Sequence, residues 1–218
     1  MPAGWAFSIW GIIFSLLGVF TVYQALPTSW VPGRNNTLIF EDIGYQFFIN
    51  MMVLSLWPIL FWFNNAAGFA ISLVAILFVL SSDWYMLLMS QKANVNWVEW
   101  ISIRAQFSIN SGWVTAATIL NVSLMLKAMG LADPNIPSEY EEYMTVGVLW
   151  VALVIYNSAS YVERNPLYGS IFIWVLLAIR SEILTNKAQY TMIEENLTAL
   201  LIIHGISMVS LWTWLGSE

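Results

Sequence analysis

The stretch AGFAISLVAILFVLSSDWYMLLMS, from Ala67 to Ser90, decides the class of this protein. It carries one charge, Asp83, and is otherwise apolar or small and neutral. A helix needs about 20 mostly apolar residues to cross the hydrocarbon core of a bilayer, and this run is long enough. Six more runs read the same way: Trp5 to Leu26, Ile43 to Phe63, Trp100 to Leu126, Tyr143 to Tyr161, Tyr168 to Leu184 and Leu197 to Gly216. Seven helices of about 20 residues take up roughly two thirds of the chain. Only short connections remain. The expected architecture is therefore an all-α integral membrane protein, one transmembrane domain over residues 1–218.

Composition agrees. The 218 residues are 59% hydrophobic and 9% charged, with a mean hydropathy of +0.71. Soluble domains run near a quarter charged residues, so this chain lacks the charge to coat a surface in water. The net charge of −6 argues against a nucleic-acid partner, because phosphate binding needs clustered Lys and Arg. Without cysteine there is no disulfide, iron–sulfur cluster or Cys-ligated zinc. No P-loop, His-Glu-x-x-His or Gly-x-Ser-x-Gly pattern occurs. A single histidine, His204, cannot supply a bis-His haem or a di-iron set. The expectation is a non-catalytic protein without a metal.

Turn-forming residues separate the spans: Pro27-Thr28-Ser29, Asn64-Asn65, Arg164-Asn165-Pro166, and the acidic loop from Asp133 to Ser138 with Glu139, Glu141 and Glu142. Lys127, Lys187 and Arg180 fall on one side of the membrane, and Arg34, Lys92, Arg164 and Arg104 on the other. That split gives no positive-inside bias. The first span lacks a basic leader and exceeds a signal-peptide core, so it reads as a span.

Thirteen tryptophans are the strongest compositional signal. Trp30, Trp62, Trp97, Trp100, Trp212 and Trp214 fall near span ends and read as an interfacial belt. Trp57, Trp113, Trp150 and Trp174 lie deeper, where an indole N–H needs a partner. Both helix packing and a flat apolar ligand fit that placement.

Three segments carry a family resemblance. The opening, Pro2-Ala3-Gly4-Trp5-Ala6-Phe7-Ser8-Ile9-Trp10, resembles the Pro-Pro-x-Trp-x-Phe…Trp start of a helix in the TspO/MBR family of tryptophan-rich sensory proteins. Trp57-Pro58-Ile59-Leu60-Phe61 is similar to that family's Trp-Pro…Phe element. Trp113-x3-Ala117-x2-Leu120-Asn121 matches its Trp-x3-Ala-x2-Leu-Asn signature with the spacing intact. The resemblance covers about residues 2–126 and implies that four spans correspond to the family's second to fifth helices. Residues 127–218 would add three more. The family binds porphyrins, sterols and other flat lipophiles between its helices. The resemblance thus implies a ligand or lipid cavity at Phe7, Trp10, Asn50, Trp57, Trp113, Ala117 and Asn121. The sequence departs from the family pattern at Ala3, Asn50, Leu54 and Ile109-Asn110, and lacks the family's first helix and the lid over its pocket.

Read without the family, the fourth span still carries information. Gly112 and Ala116, and Ser111 and Thr115, form small-xxx-small pairs that let helices approach closely. Asn110 and Asn121 are about three turns apart and share a face, suited to bonding a neighbouring helix. Charges within spans are costly and mark structure or function. Asp83 and Arg104 fall at similar depth on antiparallel spans and are expected to pair; a proton or anion path is the competing use. Arg180 and Glu182 in the sixth span and His204 in the seventh are expected to meet. His204 could then bond across helices, pass a proton or bind haem.

Two functions follow. One is an accessory subunit of a larger, respiratory-type membrane complex, holding lipid between its helices and contacting other membrane-protein subunits, with the mitochondrial inner membrane as its expected location. The other is a stand-alone sensor or carrier of a porphyrin, sterol or similar ligand. No cofactor is required by either, although a phospholipid, sterol or tetrapyrrole could be bound.

Overall fold

The computed structural model describes residues 2–131, 138–186 and 190–217. Among them no strand occurs. Seven helical stretches are long and apolar enough to cross a membrane: Gly4–Ala25, Thr37–Trp62, Ala66–Lys92, Trp97–Gly130, Glu142–Val162, Pro166–Asn186 and Thr191–Ser217. All seven sequence spans are present. The second, fourth and seventh begin earlier than expected, and this shifts the depth of the charges within them. The loop residues Asp133 to Pro137 and Lys187 lie outside the described residues.

Contacts divide the chain into two compact units, Ile9–Met125 and Met1–Ser8 with Leu126–Glu218. The first unit holds α1 (Ile9–Ala25), α2 (Gly44–Trp62), α3 (Ala66–Lys92), the single turn α4 (Trp97–Glu99) and α5 (Gln106–Leu126). π-helical turns over Thr37–Ile43 and Trp100–Ala105 lead into α2 and α5. Local chemistry sets the ends of these helices. Asn65 caps α3, its side chain accepting from the Gly68 amide at 2.8 Å. Asn96 and Glu99 form a reciprocal capping box at α4, which satisfies two amides that the first turn leaves without partners. Pro58 sits inside α2, as membrane helices allow where neighbours satisfy the freed carbonyl.

The second unit holds α6 (Ser138–Val162), α7 (Pro166–Asn186) and α8 (Thr191–Ser217). Pro166 opens α7, where its missing N–H costs nothing, and the Asn165 side chain accepts from the Tyr168 amide at 3.2 Å. Tyr156 of α6 stacks on Tyr168 and Phe172 of α7 at centroid distances of 5.1 and 4.7 Å. The opening residues are pinned to α7. The Ala3 amide donates to the Ala178 carbonyl at 3.1 Å. The Trp174 indole donates to the Ala6 carbonyl at 3.0 Å, and Trp5 stands edge-on to Trp174.

The belt tryptophans are exposed: Trp62 at 85%, Trp97 at 74% and Trp30 at 73%, with Trp100, Trp212 and Trp214 also exposed. Trp150, expected to lie deeper, is 37% exposed and also bonds. The Trp150 indole donates to the Asn196 side chain at 2.9 Å.

Candidate functional site

Two polar clasps tie α5 to α3. At the first, Asn110 Nδ2 donates to Asp83 Oδ2 at 2.7 Å. At the second, the Asn121 amide oxygen accepts from Ser72 Oγ at 2.7 Å and from the Trp57 indole at 3.2 Å, while its nitrogen donates to the Phe69 carbonyl at 2.9 Å. The clasps are eleven residues apart on both helices, Asn110 to Asn121 and Ser72 to Asp83. Eleven residues is about 16 Å of helix and close to three whole turns. One face of each helix therefore presents both clasps, and antiparallel packing keeps them in register. α2 joins at both levels. Asn50 Nδ2 donates to Asp83 Oδ1 and to the Val79 carbonyl, each at 3.1 Å, and Trp57 reaches Asn121.

Apolar packing fills the space between the clasps. Leu54, Ile76, Val79 and Val114 form its buried centre, with Trp10, Trp57 and Ala117 against it. Trp10 stands edge-on to Trp113 at 6.4 Å and stacks on Phe14 at 5.2 Å. Trp57 leans on Phe61, which meets Phe69 edge-on.

The structure thus brings together Trp10, Trp57, Trp113, Ala117 and Asn121, and packs them on one another. Asn50 is drawn away from this set by Asp83. Phe7 belongs to the other unit and is 42% exposed. Two open hollows stand out among the described residues. One is lined by Glu194, Glu195 and Thr198, the other by residues 40–46 and Tyr85, and neither includes an expected cavity residue.

The charges within the spans are arranged differently from expectation. Arg104 does not bond Asp83. Its guanidinium donates to the carbonyls of Ser90, Gln91 and Ala93 at 2.9, 3.2 and 2.7 Å. The last carbonyls of α3 have no partner within their helix, and they compete successfully for a cation. Ser90 lies seven residues, about 10 Å of helix, from Asp83. The buried carboxylate takes two Asn amides instead.

His204 likewise does not meet Arg180 or Glu182. Its Nε2 lies 2.8 Å from the Gly169 carbonyl, and its Nδ1 lies 3.2 Å from Asn157 Oδ1. Gly169 is eleven residues from Arg180, about 16 Å along α7. The cause is the early start of α8 at Thr191, six residues before the expected one. That extra helix carries His204 about 9 Å deeper. Ser207 Oγ donates to Asn157 Oδ1 at 2.6 Å, and Asn157 Nδ2 donates to the Leu153 carbonyl at 3.1 Å. A carbonyl accepts only, so Nε2 carries a hydrogen. The Nε2–H bond to the Gly169 carbonyl ties α8 to α7, and haem ligation through that nitrogen would break it.

Sequence reading missed two buried charges, Glu99 and Arg34. Glu99 is fully buried. Its Oε1 accepts from the Asn35 amide at 2.6 Å and the Tyr23 hydroxyl at 3.1 Å, and its Oε2 accepts from the Asn96 amide at 3.0 Å. Nearby Arg34 donates to the Tyr23 and Leu26 carbonyls at 3.1 and 2.6 Å and closes the end of α1. The Asn-x-x-Glu spacing of residues 96–99 was the available signal, since it is a capping-box pattern.

A family model described as TSPO-like protein matches residues 1–212. The match runs on through α6, α7 and most of α8, beyond the residues 2–126 that carry the sequence resemblance. No curated protein matches the chain, and no solved structure matches it.

Proposed function

Because the chain belongs to the TSPO-like family of helical membrane proteins, we propose that it uses that scaffold for helix packing, as a non-catalytic accessory subunit of a larger membrane complex. One observation carries this reading. The residues that correspond to the family's ligand cavity are occupied with one another. Trp10 lies against Trp113, and the Trp57 indole hydrogen goes to the Asn121 amide. Aromatic rings in edge-on and offset contact contribute about 0.5–1.5 kcal/mol per pair beyond their buried area. A flat ligand would have to displace those contacts.

Large apolar side chains line the outward faces of α1, α2, α3, α6 and α8, among them Phe14, Phe48, Val74, Val154 and Val209. In a bilayer these faces meet lipid chains or helices of partner subunits. An energy-transducing membrane, such as the mitochondrial inner membrane, is part of the same proposal. Its support is the family's association with mitochondria and bacterial envelopes.

The test is purification from native membranes in a mild detergent, with mass spectrometry of the co-migrating proteins. A large stoichiometric assembly that is weakened by Trp113→Ala is the expected result. A small particle whose porphyrin or sterol binding is abolished by Trp113→Ala would overturn the proposal in favour of a ligand carrier.

A further inference from the structure

We propose that Asp83 is the carboxylate of a buried site for one small monovalent cation, sodium, with the amide oxygens of Asn50 and Asn110 as its neutral ligands. Asp83, Asn50 and Asn110 are all fully buried. Both oxygens of the carboxyl accept, Oδ1 from Asn50 and Oδ2 from Asn110. A carboxyl group at this depth either holds a proton or needs a compensating positive charge. No protein cation bonds it among the described residues, and Arg104 is held by the carbonyls at the end of α3.

Polar atoms without partners lie on these residues and close to Asn110 along α5. They are Asn50 Oδ1, Asn110 Oδ1, Ser111 Oγ and both amide atoms of Gln106, all on fully buried residues. Gln106 lies one turn before Asn110 on the same face of α5. A bound proton would satisfy one acceptor. A cation coordinates several oxygens at once. Half a turn of an Asn amide about its last bond exchanges nitrogen for oxygen and needs no backbone movement. A single carboxylate among neutral oxygens matches one positive charge; calcium sites recruit more carboxylates, and magnesium holds several waters.

An acidic surface hollow lies within about a turn of these residues on α2 and α3. An open hollow of about 400 Å³ is lined by Glu41, Asp42, Tyr45, Gln46 and Tyr85. Its two acids give it the sign that concentrates cations. Gln46 lines the hollow and donates to Ser82 Oγ at 2.9 Å. Ser82 adjoins Asp83, and Gln46 lies one turn before Asn50 on α2. The sequence of groups is thus an acidic mouth, a neutral polar step and the buried carboxylate.

Thermal unfolding of the purified protein, followed by its tryptophans, tests the site with sodium chloride exchanged for choline chloride at constant ionic strength. Sodium is expected to raise the midpoint progressively with the logarithm of its concentration, by about 5–10 °C at a hundredfold excess over Kd. Asp83→Asn should abolish the response. Glu41→Gln with Asp42→Asn should raise Kd several-fold, so that the same shift needs several-fold more sodium. Equilibrium binding of radioactive sodium to the unaltered protein provides a measurement that does not depend on the folding of Asp83→Asn. One ion per chain, displaced by unlabelled sodium and not by choline, is the expected result. Absence of a bound ion overturns the proposal. So does stabilisation by acid with no response to sodium, which would place a proton on Asp83.

Discussion

Replacing Asn121 by leucine separates a packing role from a ligand role at the second clasp. Leucine has the same branched heavy-atom skeleton and is apolar, so it keeps the outline of the side chain and removes the amide. Three interactions end there: the Trp57 indole at 3.2 Å, the Ser72 hydroxyl at 2.7 Å and the Phe69 carbonyl at 2.9 Å. Hydrogen bonds between membrane helices average about 0.6 kcal/mol, with a maximum near about 1.7. Three of them give about 2 kcal/mol, with a ceiling of about 5. The lower figure is preferred for a structural reason. Ser72 Oγ already lies 3.0 Å from the Phe69 carbonyl, so both groups keep a partner and only the Trp57 N–H is stranded. Reversible unfolding in mixed micelles of mild detergent and dodecyl sulfate, read by tryptophan fluorescence, measures the loss. Trp57→Phe and Ser72→Ala should each cost about 0.6 kcal/mol from the hydrogen bond. The Asn121→Leu and Trp57→Phe effects should combine to less than their sum, because they break one shared bond. If Asn121→Leu unfolds within about 0.5 kcal/mol of the parent protein, the clasp is not what holds α5 to α2 and α3. If it also loses affinity for a lipophile, Asn121 is a ligand group and the packing argument fails.

Two further substitutions probe other parts of the molecule. Glu99→Gln should destabilise by about 1–3 kcal/mol, because either amide orientation turns an N–H2 toward a backbone N–H and strands a buried donor; the Asn35 and Asn96 amides face its two oxygens. The same unfolding assay measures it, and unchanged stability would mean that the network around Glu99 is open to water. Gly169→Ala should cost about 1–3 kcal/mol by overpacking. Its Cβ would overlap Met208 Sδ and Ser160 Oγ. Adding Met208→Ala should relieve most of the loss, and no relief would locate the strain in the α6 contact at Ser160.

The span count was legible because burial in lipid acts on each segment separately. A run such as Ala67 to Ser90 must satisfy its own backbone hydrogen bonds, so its apolar length alone declares it. Asn110 and Asn121 were legible as one face for the same kind of reason: their spacing along one helix fixes it. The belt tryptophans followed from their distance to the span ends. Pairings between helices were not legible. Asp83 and Arg104 looked like partners at matching depth, yet the unsatisfied carbonyls at the end of α3 took the guanidinium. His204 looked near Arg180 until the early start of α8 moved it inward by about 9 Å. Glu99 looked like a loop residue and is a buried hub. A depth error of a few residues rotates a side chain by hundreds of degrees around its helix, so partner choice is set only when the helices pack. The sequence by itself therefore determined the membrane class, the spans and the family. The tertiary structure decided what each buried polar group bonds, because register between helices is a property of pairs of segments and is not encoded in any one of them.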